Sequence, residues 1–413
     1  MLKIKKNKNG LPLEVKFCKL CNLSNQNPTS INEYFHTRDT VQKTVEFDEN
    51  NICSACKFNK AKWDDTINWK EREKELIDLC NRHRKTDGSY DCIIGGSGGK
   101  DSVFQSYTLK YKYKMNPLTV TWAPHLYTDI GWKNFQNWLH KGGFDNYLFN
   151  PNGRVLRKLT QEATKNLLHP FQPFIIGQKT YVVKMADRFN IPLIFYGESP
   201  GEGGKKISIT EKGFTSVDQK NSSQKGFELN PLAETSFENA YLGGKQVKEF
   251  YSEGLNKNDL KAYEPLDPEI IKKKKINFYF LGYFLRWVPQ ENFYFASKHV
   301  DFQTNDFRTE GTYQKYASID DKTDGFFYYT RYIKFGVGRA MIDSCSEIRN
   351  GHINKDEGKR LIEKYDGEYP SRFEKEFLDY IAMSKEEFEN LCDEFRPDHI
   401  WEKKSNRWKL KND

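Results

Sequence analysis

A run of glycines between a strand-like and a helix-like stretch constrains this chain most. Tyr90-Asp91-Cys92-Ile93-Ile94 is a short apolar run, Gly95-Gly96-Ser97-Gly98-Gly99 follows at once, and helical patterning begins at Asp101 and continues to Lys114. A strand that passes into a helix over so few residues needs backbone that can turn without a Cβ. Such a turn brings N–H groups onto one point, and the positive end of the next helix dipole adds to them. The junction is therefore suited to an anion such as a phosphate chain. Its spacing is not the Gly-x4-Gly-Lys-Ser/Thr pattern of loops serving cleavage at a γ-phosphate.

The rhythm around the junction sets the fold class. Strand signals at Asp91–Gly95, Pro117–Trp122, Asp145–Phe149 and Ile191–Gly197 alternate with helical patterns at Ile130–His140, Val155–Leu168 and about Ile176–Phe189. This alternation predicts an α/β fold, a parallel sheet with helices on both faces, whose ligands lie beyond the carboxyl ends of the strands. After Gly197 the rhythm breaks. Glu198–Gly204 reads as a loop, and about 205–259 is polar, an insertion partly covering the site, with short helices at Val247–Gly254 and Asp259–Tyr263. Lys272–Lys275 reads as a solvated basic face, and Ile276–Val288 as an aromatic-rich core strand. Helical patterns at Lys355–Tyr365, Pro370–Ile381 and Lys385–Phe395 predict a C-terminal helical cap. The expected units are 1–62, 63–204, 205–345 and 346–413.

Cysteine usage adds a second constraint. Of eight cysteines, four form two Cys-x-x-Cys pairs, Cys18/Cys21 and Cys53/Cys56. In a chain without a secretory leader such pairs favour a metal over a disulfide framework, and four thiolates make the closed set of structural zinc. About thirty residues separate the pairs, more than the usual ribbon spacing of about 15–20, and Thr37–Asp48 reads as a strand or hairpin filling that gap. Asn68 caps a following helix with Glu71 at the capping-box position; Leu76, Leu79, Cys80 and His83 share its core-facing stripe. Met1–Lys8 carries charge but no apolar run, and no stretch approaches the roughly 20 apolar residues of a membrane span, so a cytoplasmic chain is expected. The formal charge of +8, from 65 basic and 57 acidic residues, suits nucleotides, anionic sugars or nucleic acid without choosing among them.

Ser97-Gly98-Gly99-Lys100-Asp101-Ser102 resembles the PP-loop of the ATP pyrophosphatases, which split ATP between its α and β phosphates. Taken with both cysteine pairs, Tyr196-Gly197-Glu198, Glu310-Gly311-Thr312-Tyr313, Lys334-Phe335-Gly336-x-Gly338-Arg339 and Asp343-x-Cys345-x-Glu347-Ile348-Arg349-x-Gly351, the chain resembles the N-acetyl sugar amidotransferases of bacterial surface-polysaccharide and flagellin-glycan biosynthesis. That resemblance implies an adenine-nucleotide-hydrolase-like sheet and a zinc-ribbon-like N-terminal module. It implies ATP, Mg²⁺ and Zn²⁺ as cofactors, and adenylation of an acetamido oxygen that ammonia then displaces. The loop from Ser97 to Ser102 would hold the pyrophosphate portion, with Lys100 facing either phosphate or solvent and Asp101 orienting the loop or holding Mg²⁺. Backbone near Thr121 and Trp122 would read adenine. Gly197 and Glu198 end the fourth strand at the same edge, Glu198 serving Mg²⁺ or a ribose or sugar hydroxyl. Lys334 and Arg339 would grip the β/γ phosphates or a sugar carboxylate, and Tyr313 would touch the substrate. An N-acetylated sugar, nonulosonate-type sugars included, is the expected substrate. No glutaminase signature is seen, so ammonia is expected from a separate glutaminase subunit, directly or through a channel-forming partner, or as free ammonia. Two other readings stand beside it: a PP-loop tRNA-thiolating enzyme, and a non-catalytic zinc-stabilised scaffold. Against the first, no long basic stripe interleaved with aromatics suggests nucleic acid.

Overall fold

The computed structural model describes residues 5–29, 31–199, 201–204, 229–232 and 235–411. Helices α1 (Ser54–Trp63) and α2 (Trp69–His83) precede the alternating region. There β1 (Cys92–Gly95), α3 (Lys100–Tyr107), β2 (Pro117–Trp122), α4 (Asp129–Gly142), β3 (Asp145–Phe149), α5 (Gly153–Leu167), α6 (Gln172–Arg188) and β4 (Leu193–Tyr196) follow in turn. A two-residue hairpin, β5 (Tyr241–Leu242) and β6 (Lys245–Gln246), leads to β7 (Asn277–Phe280). The strands β3-β2-β1-β4-β7 form one sheet in that order, every pairing parallel.

Both faces of this sheet are covered, as the alternation requires. Successive residues of β1 point to opposite sides. Cys92 and Ile94 pack with Leu76, Leu79 and Cys80 of α2, whereas Ile93 packs with Val182, Val183 and Ala186 of α6. Asn68 caps α2 by accepting the Glu71 N–H, as its sequence implies. Of the polar stretch after Gly204, 205–228 and 233–234 lie outside the described residues; the rest carries the β5–β6 hairpin and the helices Val247–Ser252 and Lys257–Leu260.

Four elements differ from expectation. Helix α3 ends at Tyr107, and the chain continues as a π-helical turn, Thr108–Lys112, before Lys114 takes a positive φ. The run Ile276–Val288 is not one strand: β7 stops at Phe280 and a short helix, Leu281–Phe284, follows. At Gly282 a Cβ would lie 2.6 Å from the Glu198 carbonyl oxygen, so the chain bends where it crosses the loop after β4. The C-terminal region is not all helical, because Trp401–Lys404 and Arg407–Leu410 pair as an antiparallel hairpin. Between the cysteine pairs, Thr37–Asp48 forms isolated bridges (Pro28 to Thr44, Phe47 to Cys53) in place of a strand or hairpin. No described helix is long and apolar enough to cross a membrane.

Candidate active site around the glycine loop

The loop leaves the carboxyl end of β1, a central strand of the sheet. Gly98 has φ +84°, and a Cβ there would lie 2.7 Å from the Phe135 Cα of α4, so both conformation and space demand glycine. Gly99 is the N-cap of α3 and no side chain caps that end, which leaves first-turn N–H groups for a ligand. The Ser97 N–H donates to Ser102 Oγ at 3.1 Å, and Thr121 Oγ1 donates to the Gly96 carbonyl at 2.7 Å. Lys100 Nζ lies 2.5 Å from Asp101 Oδ2, and Asn292 Nδ2 donates to Asp101 Oδ1 at 2.8 Å. Asp101 is thus fixed between a cation and an amide.

A second wall comes from the C-terminal third. Asp320 packs on α4, where a Cβ on Gly131 would lie 2.4 Å from its Cα; burial raises its pKa, the neighbouring Asp321 carboxylate adds to this, and Ser97 and Lys100 work against it. Burial, then Asp320 and Asp321, push Asp324 up to about 8. Asp321 is the exception: burial opposes ionisation, but bonds from His125 and backbone amides hold its pKa low. Arg339 faces this group, paired with Asp343 at 3.0 Å and bonded to the Tyr328 hydroxyl. The site therefore sets the glycine turn, with its unpartnered first-turn N–H groups, beside protonatable carboxyls and a fixed guanidinium.

The other expected residues divide between this site and elsewhere. Trp122 is buried; its indole packs on Gly177, Phe149 and Tyr263, which leaves only its backbone toward the strand end. Gly197 is pressed against α3, where a Cβ would lie 2.9 Å from the Asp101 carbonyl. Glu198 is exposed and lines, with Asp101, Gly197, Glu202, Arg331 and Arg349, a cavity of about 860 Å³. Tyr313 is half-buried, and burial together with Asp343 and Glu347 raises its pKa. Lys334 and Arg339 do not act as a pair. The Gly-x-Gly turn between them already holds a carboxyl of the chain itself: Asp366 accepts the Gly338 and Met341 N–H groups at 2.9 and 3.1 Å. Lys334 Nζ donates to the Leu167 carbonyl at 2.9 Å and lines a different cavity.

The four paired cysteines come together as expected. Cys18 Sγ lies 3.7 Å from Cys56 Sγ, Cys21 Sγ lies 3.7 Å from Cys53 Sγ, and all four sulfurs fall within 4.8 Å of one another. Sulfurs bound at 2.3 Å around one tetrahedral zinc are about 3.8 Å apart, so the set fits a single ion. Arg349 ties this module to the cavity, with Nη1 3.6 Å from Cys21 Sγ and Nη2 donating to the Glu202 carbonyl at 3.0 Å. Lys62 of α1 makes a second tie. Fully buried, its Nζ reaches Glu202 Oε1 at 2.7 Å and Asn350 Oδ1 at 2.6 Å. Lys62→Met would leave Glu202 without that cation. Removing one partner of a buried pair is strongly destabilising, and with Arg349 still nearby the expected loss is about 3 kcal/mol, measured by denaturant unfolding.

Sequence reading passed over Asp320, Asp324, Asn292, Arg331 and Lys62. The acidic phrase Ile319-Asp320-Asp321-Lys322-Thr323-Asp324 was the available signal for two of them. The others gain their place only through long-range packing.

Comparison with known proteins bears on this second wall. Residues 310–412 match the model of the LPS biosynthesis protein WbpG-like, C-terminal domain. The match takes in Glu310–Tyr313, Lys334–Arg339 and Asp343–Gly351, phrases on which the resemblance already rested. An uncharacterised protein of Methanocaldococcus jannaschii is 36% identical over 85 residues, 21% of this chain and 29% of that relative. The chain thus spans less than a third of the length of the curated relative it matches. Among solved structures, the NH3-dependent NAD synthetase of Campylobacter jejuni, in complex with nitrate, is 13% identical. That match covers 51% of this chain and 93% of the other, with a TM-score of 0.27. The U34-tRNA thiolase NcsA of Methanococcus maripaludis, solved with its 4Fe–4S cluster, is 14% identical; the match covers 79% and 87%, with a TM-score of 0.30.

Proposed function

We propose that this protein is an ATP-dependent PP-loop enzyme of surface-polysaccharide biosynthesis, which adenylates the acetamido oxygen of an N-acetyl sugar and replaces it with ammonia. The observation that carries the reading is that Asp320, which belongs to the WbpG-like segment, packs against Gly131 of α4, the same helix on which Gly98 of the glycine loop rests. A nucleotide on the loop would therefore lie against the part of the chain whose likeness is to lipopolysaccharide biosynthesis.

The chemistry assigned to the residues follows from their positions. An amide oxygen is a poor leaving group, so its displacement requires activation. Attack of that oxygen on the ATP α-phosphate expels pyrophosphate and leaves an O-adenylyl imidate; ammonia adds to the imidate carbon, loses a proton, and AMP departs. The N–H groups of Gly98, Gly99 and Lys100, with Ser97 and Ser102, hold the pyrophosphate portion and meet charge as it develops. Asp101, steadied by Lys100 and Asn292, supplies carboxylate oxygen of the kind Mg²⁺ takes; that ion, when bound, offsets phosphate charge. The four-cysteine set holds zinc and keeps Arg349 and the Glu202 loop in place. Ammonia comes from a separate glutaminase subunit.

A tRNA-thiolating reading fits the cysteines less well. Thiolation calls for a reactive sulfur near the loop, and all eight cysteines are buried. Cys80 and Cys92 lie in the sheet core, and Cys345 Sγ donates to the Cys21 carbonyl. Incubation with ATP, Mg²⁺, ammonium and N-acetylated sugar nucleotides is expected to yield AMP and pyrophosphate, with the sugar mass changed by oxygen to NH. ADP as product would end the adenylation reading. Glutamine used alone as efficiently as ammonium would remove the need for a partner.

A further inference from the structure

We propose that Glu33, His36 and His169 form a second metal site, for a divalent first-row transition ion such as zinc, apart from the four-cysteine set. Their ligand atoms all lie within 4.8 Å of one another: His36 Nδ1 is 2.9 Å from Glu33 Oε2, and His169 Nε2 is 3.7 Å from Glu33 Oε1. Nitrogen and oxygen donors around one tetrahedral zinc are about 3.4 Å apart, so small side-chain shifts would close the set on an ion.

The donors are held in place by packing from distant parts of the chain. Glu33 begins a single 3-10 turn, Glu33–Phe35, capped by Asn32. Tyr34 fixes that turn through its hydroxyl, bonded to Thr180 Oγ1 at 2.8 Å and the Tyr263 carbonyl at 2.5 Å. Gln172 Nε2 donates to the Glu33 carbonyl at 2.9 Å, which joins the turn to the segment bearing His169. The His169 ring stacks on Phe327. Two imidazoles and one carboxylate, preorganised in this way, form a donor set typical of transition-metal sites that keep open positions.

His36 Nε2 lies 3.5 Å from the Gln42 side-chain amide. When an ion takes His36 Nδ1, the ring proton moves to Nε2, and rotation of the Gln42 amide presents oxygen to receive it. Ligating histidines are commonly oriented by such an outer partner. Lys334 is the nearby cation that opposes an ion, and its Nζ is turned to the Leu167 carbonyl at 2.9 Å.

The site stands where two cavities approach. Glu33 lines the cavity that reaches Asp101 and Glu198, and His36 lines the other, of about 560 Å³. Water or a substrate oxygen can complete the coordination from either side.

The test uses the full chain with its cysteine set intact, dialysed against Co²⁺ or Zn²⁺ and assayed for bound metal per chain. The wild type is expected to take up a second equivalent. As Co²⁺ this second ion should show ligand-field bands without the thiolate charge-transfer band of the first. His169→Gln and Glu33→Gln should lose the second equivalent and keep the first, with the far-UV circular dichroism of the wild type. Gln42→Leu should bind the second ion about 10–100-fold more weakly. A wild type that saturates at one equivalent overturns the proposal whether or not the variants fold. Retention of the second equivalent in folded His169→Gln would do so too.

Discussion

Stripping the zinc proposed for the four-cysteine set, by chelation or by Cys53→Ser, is expected to unfold far more than the N-terminal module. Structural zinc in small cysteine modules contributes on the order of 10 kcal/mol of binding free energy, all of it available to folding. Here the module does not stand alone. Cys18, Cys21, Cys53 and Cys56 belong to one buried cluster with Phe335, Val337, Met341, Cys345, Ile400 and Trp401. The residues nearest the chain's two ends therefore share a core. Loss of the ion frees four thiolates in a buried space and removes the anchor beneath Arg349, whose guanidinium touches both Cys21 and the Glu202 loop. The expected outcome is a large drop in melting temperature, with early proteolytic cleavage both in the first sixty residues and between about 335 and 410. A chain that kept its melting temperature and protease resistance with no bound metal would show the cysteines to be packing residues only.

That shared core also explains what was legible in the sequence. The central sheet follows from local patterning: apolar runs at Cys92–Gly95, Pro117–Trp122, Asp145–Phe149 and Leu193–Tyr196 each lie next to an amphipathic helix, and right-handed crossovers leave few arrangements. The glycine loop was legible for the same reason, since its strand, turn and helix are contiguous. The C-terminal third was not. Its helices at Lys355–Tyr365 and Lys385–Glu394 show clear caps, but what they bring together depends on contacts across hundreds of residues. Lys334 and Arg339 illustrate this. They flank a glycine turn that looks open to an external anion, yet Asp366 fills it from outside the motif. The pair Glu33 and His169 is equally invisible in sequence, because only the docking of the Glu33–Phe35 turn against α6 makes them neighbours.

Gly98→Ala is expected to abolish most turnover while leaving the protein folded. Two costs fall on the same atom. The residue sits at φ +84°, in the left-handed region that costs an L-residue roughly 1–2 kcal/mol. Its new Cβ would also lie 2.7 Å from Phe135 Cα and 3.1 Å from Phe135 N. Those are backbone atoms of α4, which cannot swing aside as a side chain would, so the loop itself must move. A displacement of about 1 Å in a positioning element costs on the order of 100-fold in rate, and the expected fall in kcat/KM for AMP formation is about that size. Gly99→Ala is the matched control. Gly99 has φ −67°, and its Cβ would meet only Ser97 Oγ, at 3.7 Å, so the free protein accepts the methyl group. A rate loss in Gly99→Ala with an unchanged melting temperature would then report the methyl group meeting bound phosphate. If Gly98→Ala formed AMP at the wild-type rate, the loop would not be where the nucleotide reacts. The phosphate-binding role would then pass to the cations of the cavity, Arg331 and Arg349, beside Asp101 and Glu198.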